Sequence, residues 1–223
     1  MPDPTFGSPV VRTGGSPHPD APLVVLLHGR GADENGIAGL SALLPESVAW
    51  AAVRAPISEG SGYAWFANRG IGRPVAASLA ATMAWFHRWL DTVAPLGRRV
   101  ILVGFSGGAA FAGGLVPADP LRFAGAAILY GTLPFDAGVP TTRARLAGVP
   151  VLVAQGEHDT VIPAELLDAT WRYLTGPSGA TTTAHRDQAG HALSPATARV
   201  LATWLGTVAH RVADDPTTEE QPV

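Results

Sequence analysis

A chain of 223 residues, 47% of them hydrophobic and 15% charged, has the make-up of a globular protein and enough length for one domain with a sizeable core. It contains no cysteine, and all 15 of its basic residues are arginine, so thiol nucleophiles, thiolate metal sites, disulfides, Schiff-base lysines and the lysine of phosphate-binding loops are excluded. A formal net charge of −3 supplies no electrostatic footprint for nucleic acid or an anionic membrane.

Both ends, 1–9 and 214–223, are rich in Pro, Asp, Thr and Glu without periodicity, and are expected to be frayed tails around a single domain over 10–213. The start lacks a basic region followed by an apolar run, and no segment approaches the ~20 apolar residues of a membrane helix, so the expectation is a cytoplasmic protein with no membrane span. Val10–Arg12 suits a short edge strand. Leu23–Leu27 is an unbroken aliphatic run, the pattern of a strand buried on both faces. Asp33–Leu44 has apolar residues at helical spacing and stops at Pro45, and Val48–Val53 reads as the next strand. Residues 54–75 read as a long loop carrying an aromatic surface of Tyr63, Trp65 and Phe66.

Ala76–Val93 reads as a helix, with Trp85, Phe86 and Trp89 assigned to the core. Val100–Val103 reads as a buried strand that runs into Gly104-Phe105-Ser106-Gly107-Gly108 and then an Ala/Gly-rich helix. Strands follow at Phe123–Tyr130, Val149–Ala154 and Thr181–His185, with helices from Pro163 to Leu174 and from Pro195 to Ala209. Strands alternating with helices predict an α/β fold: a mostly parallel, doubly wound sheet with helices on both faces. The interval 131–148 is too short, and too rich in Pro, Thr and Gly, for a helical cap, so an open site is expected.

A G-x-S-x-G turn between strand and helix lifts its serine hydroxyl above the sheet edge, but a serine attacks only when a base takes its proton and a third group orients that base. Asp159 follows the strand ending at Ala154, and His191 follows the segment ending near His185. Serine, acid and histidine in that chain order, each just past a strand, make up the set of an α/β-hydrolase, and open parallel sheets gather such loops on one edge. Glu157 is a rival acid, with Asp136 and Asp187 as surface charges or substitutes; His158 and His185 are rival bases. His28-Gly29-Arg30-Gly31 also follows a strand, which assigns an oxyanion hole to the backbone amides of Arg30 and Gly107. His28 is expected to hold that loop. The Arg30 side chain is expected to be solvated or to pair with Asp33 or Glu34, with an anionic substrate group as the alternative. Tyr63, Trp65 and Phe66 are candidates for a substrate pocket, with plain packing as the alternative. No histidine and carboxylate cluster has ligand spacing such as H-E-x-x-H, and the glycines at 29–34 lack the third member of a dinucleotide loop, so neither metal nor cofactor is expected.

Four motifs carry a resemblance: LLHGRGADEN at 26–35, GFSGG at 104–108, PVLVAQGEHD at 150–159 and GHALSP at 190–195. The chain resembles the phospholipase/carboxylesterase family of small α/β-hydrolases, which includes the acyl-protein thioesterases. The resemblance implies a serine esterase acting on a small-molecule ester or an accessible acyl group, with Ser106, Asp159 and His191 on the triad positions. It leaves open a lactone or dienelactone hydrolase and a non-catalytic binding protein that keeps the fold. The chain departs from the family at Gly107, where a glutamine is usual, and at Arg30, where an apolar residue often stands.

Overall fold

The computed structural model describes residues 6–210. Seven strands form the central sheet: β1 (Val11–Gly15), β2 (Leu23–Leu27), β3 (Ala49–Val53), β4 (Val100–Phe105), β5 (Gly125–Leu129), β6 (Pro150–Gly156) and β7 (Thr181–Asp187), in the order β1-β3-β2-β4-β5-β6-β7. Only β1 runs antiparallel, pairing Val11 with Val53; every other neighbouring pair is parallel. This is the mostly parallel sheet foreseen from the alternation of elements, and the α/β-hydrolase fold that the order of serine, acid and histidine and the family resemblance imply.

Five helices cover the sheet: α1 (Glu34–Ala38), α2 (Ala76–Val93), α3 (Gly107–Ala118), α4 (Ala164–Thr175) and α5 (Pro195–His210). The period of two along a strand sorts the layers. In β2, Leu23, Val25 and Leu27 join α2 and α3 in one apolar cluster, whereas Val24 and Leu26 join Leu201, Trp204 and Leu205 of α5 in the other. All five β2 residues are buried, as a strand sandwiched between helices requires. No described helix is long and apolar enough to cross a membrane.

Three segments differ from the sequence reading. The helical stretch 33–44 is α-helical only over Glu34–Ala38 and continues as a 3-10 helix over Gly39–Leu43. Residues 57–74 form two small hairpins, Ile57–Glu59 with Gly62–Ala64 and Asn68–Gly70 with Arg73–Pro74, in place of a long loop. Trp65 and Phe66 are buried rather than part of an aromatic surface, because Trp65 stacks on Phe111 of α3 at 4.5 Å and donates its Nε1–H to the His28 carbonyl at 2.8 Å. At the amino end, residues 1–5 lie outside the described residues, but Phe6 packs edge-on against Trp85 at 6.2 Å and the Gly7 carbonyl accepts from Trp85 Nε1 at 2.7 Å. That stretch of the expected tail is docked on α2. The expected tail at 214–223 lies outside the described residues. Between β5 and β6 the chain makes one short 3-10 turn, Phe135–Ala137, and no helical cap.

Candidate active site

The loops after β2, β4, β6 and β7 leave the same edge of the sheet, because those four strands are parallel. The β4–α3 turn is the tightest of them. Ser106 has φ +54°, a left-handed value that costs a non-glycine residue about 1–3 kcal/mol and needs a surround that permits no alternative. The glycines supply that surround by omission. A Cβ on Gly104 would stand 2.3 Å from the Gly108 carbonyl oxygen, and one on Gly108 would stand 2.1 Å from the Leu27 oxygen. Only a chain without side chains at both positions brings α3, β4 and β2 this close.

The turn aims Ser106 at His191. His191 Nε2 lies 2.8 Å from Ser106 Oγ, and its Nδ1 lies 2.8 Å from Asp159 Oδ2. A carboxylate can only accept, so Nδ1 carries the proton and Nε2 of the neutral ring is the acceptor for the serine hydroxyl. Asp159 has no solvent-exposed side-chain surface, and its other oxygen accepts the amides of Val161 at 2.8 Å and Ile162 at 3.1 Å. The carboxylate is therefore held from both sides. The Phe105 ring lies 5.3 Å from the His191 ring and closes its flank.

The rival acids and bases lie elsewhere. Glu157 is exposed and bonded to the Gln188 side chain, and His158 Nδ1 lies 2.8 Å from the Gln188 carbonyl. Asp136 pairs with Arg73 at 2.5 Å. His185 and Asp187 approach each other to 3.7 Å, apart from the Ser106–His191 line.

The loop after β2 is rigid. His28 is buried; its Nδ1 lies 2.7 Å from the Gly29 carbonyl, so it donates there, while Nε2 accepts the Ala55 amide at 3.0 Å. Burial lowers its pKa, which keeps this bridging tautomer neutral. Among the described residues, neither the Arg30 nor the Gly107 amide donates to another protein group. The two approach closely: a Cβ on Gly107 would come within 3.1 Å of the Arg30 nitrogen. Two unpaired N–H groups beside a serine hydroxyl, one of them at the first turn of α3, can receive developing negative charge on a substrate oxygen.

The Arg30 guanidinium pairs with neither Asp33 nor Glu34. It forms a fork with Glu59 of the first hairpin, with Nε 2.5 Å from Oε1, and also reaches the Phe66 carbonyl at 3.0 Å. The nearer acids are already engaged. Asp33 caps α1 through the amides of Asn35 and Gly36, and Glu34 is buried in a two-pronged pair with Arg54, both contacts 2.6 Å. That pair holds the Glu34 carboxyl below its usual pKa.

A cleft of about 290 Å³ opens at Ser106, walled by Trp65, Phe66, Ile71, Ala110, Val161 and Ile162, with Arg30, Asn68 and Thr132 as further polar members. Of the aromatic candidates, Trp65 and Phe66 line it and Tyr63 does not. Tyr63 lies under Arg54, with the guanidinium carbon 4.6 Å from the ring centre and its hydroxyl accepting from Arg54 at 3.2 Å. Among the described residues no group of three or more His, Asp or Glu gathers as a metal would need.

Comparison with known proteins agrees with the fold. A family profile described as phospholipase/carboxylesterase matches residues 8–209. The solved carboxylesterase of Bacillus cereus superposes with a TM-score of 0.79 at 21% identity, covering 90% of this chain and 94% of that one. The carboxylesterase of Mesorhizobium loti gives 0.74 at 26% identity, over 83% of this chain and 88% of that one. MhqD of Bacillus subtilis, provisionally named a hydrolase, is 26% identical over 189 residues, which are 82% of this chain and 91% of its own.

Proposed function

The chain belongs to the phospholipase/carboxylesterase family, and on that footing we propose that it hydrolyses carboxylic esters through an acyl-enzyme on Ser106. The observation that carries this reading is the unbroken line Asp159–His191–Ser106, with 2.8 Å at each step. Ser106 Oγ attacks the ester carbonyl carbon as His191 Nε2 takes its proton. Asp159 keeps the ring oriented and balances its positive charge without itself taking the proton. The carbonyl oxygen, now an oxyanion, is received by the amides of Arg30 and Gly107. Collapse of the tetrahedral species expels the alcohol, which leaves with the proton from His191, and the acyl group stays on Ser106. A water molecule then repeats the sequence: His191 takes its proton, the hydroxide equivalent adds to the acyl carbon, and the acid departs as Oγ regains a proton. No cofactor enters these steps.

A cleft of about 290 Å³ with no cap over it suits small esters, or acyl groups presented on a larger molecule, thioesters included. The test is a panel of p-nitrophenyl esters, acyl thioesters and lactones given to the wild type and to Ser106→Ala. The expected result is ester hydrolysis that falls by ~10⁶ in the variant. Wild-type turnover by Ser106→Ala would overturn the assignment, and turnover confined to lactones would move the substrate class.

A further inference from the structure

A second buried polar cluster lies at the same sheet edge and takes no part in the chemistry proposed above. Its centre is Asp187, the last residue of β7, whose side chain is 11% exposed. One oxygen accepts the Ala189 amide at 3.0 Å. The other accepts three hydroxyls: Tyr130 at 3.0 Å, Thr197 at 2.7 Å, and Ser194. Burial alone would raise this carboxyl, but the bonds from Ser194, Thr197, Ala189 and Tyr130 together outweigh it and hold the pKa at about 2. His185 Nε2 stands 3.7 Å from the same oxygen and has no hydrogen-bond partner among the described residues.

The placement of these donors along the chain matters. Ala189 precedes His191 and Ser194 follows it, so a single carboxylate grips both sides of the segment that carries the imidazole. The grip extends to the loop of Asp159, since the Asp187 carbonyl accepts the Glu157 amide at 2.7 Å and the Ala189 carbonyl accepts the His158 amide at 3.0 Å. It also extends to the turn of Ser106. Tyr130 is fully buried with φ +48°, a strained value for a tyrosine, and its ring lies 5.9 Å from that of Phe105, which itself flanks His191. The loop that must hold an imidazole within hydrogen-bond reach of both Ser106 and Asp159 is thus tied down by Asp187 and anchored on Tyr130.

We propose that Asp187 is a positioning residue for His191, gripping the histidine loop on both sides through Ala189 and Ser194, with Tyr130 as the anchor of the cluster. The proposal rests on the serine-hydrolase reading. Misplacing a catalytic group by about 1 Å costs on the order of 10²-fold in turnover. Hydrolysis of p-nitrophenyl acetate, with turnover expressed per site titrated by the acyl burst, tests it without counting unfolded protein. Asp187→Ala is expected to lose about 30- to 100-fold in kcat with KM within about twofold of wild type. Asp187→Asn keeps an acceptor for the Ala189 amide and is expected to recover to within about tenfold of wild type, and Tyr130→Phe to lose about three- to tenfold. A merely structural aspartate would lower the number of titrated sites and leave turnover at each unchanged; that result would overturn the proposal. If Asp187→Ala does not fold, wild-type kcat per site in both Asp187→Asn and Tyr130→Phe overturns it equally. Full activity in Ser106→Ala would instead remove the hydrolase reading and this proposal with it. An inactive Ser106→Ala beside fully active Asp187 variants would remove this proposal alone.

Discussion

The sheet-edge loops face the second hairpin, with Trp65 and Phe66 before it, across one cleft, yet the loops and the two hairpins at 57–74 are held in different ways. The loops are fixed by backbone: two glycines with carbonyl oxygens where their Cβ atoms would sit, amides closing on Asp159, and strand ends in fixed register. The hairpins add side-chain ties, Arg30 to Glu59, Arg73 to Asp136 and Trp65 to the His28 carbonyl, to a single backbone bridge that joins Tyr63 to Gly31 and Ala32. Backbone packing leaves little room for relaxation, whereas half-exposed ion pairs are screened and replaceable. The chemistry should therefore be brittle on the loop side and graded on the hairpin side.

The largest effect expected from that contrast is at the acid. Asp159→Asn leaves the shape intact but offers His191 Nδ1 an amide that can impose the wrong tautomer, and kcat is expected to fall by about 10⁴ in steady-state ester hydrolysis. A comparable loss from Glu157→Gln, with Asp159→Asn unaffected, would relocate the acid. Next is Gly108→Ala, which must push β2 and α3 apart against the Leu27 oxygen. A loss of about 10² in kcat is expected, together with destabilisation of about 3 kcal/mol or more in urea unfolding. The smallest effect is expected across the cleft. Arg30 and Glu59 are 34% and 40% exposed, so Glu59→Gln should cost no more than about fivefold in kcat/KM, the Phe66 carbonyl still holding the guanidinium. If Glu59→Gln cost as much as Gly108→Ala, the two sides would not differ and the contrast would fail.

The same division decides what could be read from the sequence. The β4–α3 turn is local: strand, glycines at fixed offsets and helix lie within one short stretch, and their steric logic needs no distant partner. The five aliphatic residues of β2 likewise announce burial on both faces. The hairpins escaped because strands of two or three residues have no periodicity to detect, and the ties that hold them, such as Arg30 to Glu59 and Arg73 to Asp136, join residues far apart in the chain. Arg30 illustrates the limit. Its sequence neighbours Asp33 and Glu34 looked like partners, but one is spent on the α1 cap and the other on Arg54, which leaves Glu59. The choice among Glu157, Asp159 and Asp187 was likewise a question of which carboxylate the loops turn inward, which spacing alone does not decide. The spacing offers Asp187 only as a surface charge or a substitute acid; its partners Ser194 and Thr197, at the start of α5, and Tyr130, just past β5, meet it only in the fold.

The family departures at Arg30 and Gly107 also gain a physical sense from the fold. A side chain at 107 would begin 3.4 Å from the Arg30 Cβ, so the two positions share one space above the serine. The glycine leaves room for the loop that carries Arg30 to close over α3, and the guanidinium in turn ties that loop to the hairpin through Glu59.

The central claim is that Ser106 is an activated nucleophile, and covalent labelling by a fluorophosphonate tests it most directly. The reagent reacts with serine only where a base removes the hydroxyl proton. The expected result is one adduct per folded chain, mapped to the peptide containing Ser106 by mass spectrometry, absent in Ser106→Ala and strongly slowed in Asp159→Asn. Folded wild-type protein that stays unlabelled at Ser106 would contradict the account and leave a binding protein on a hydrolase fold.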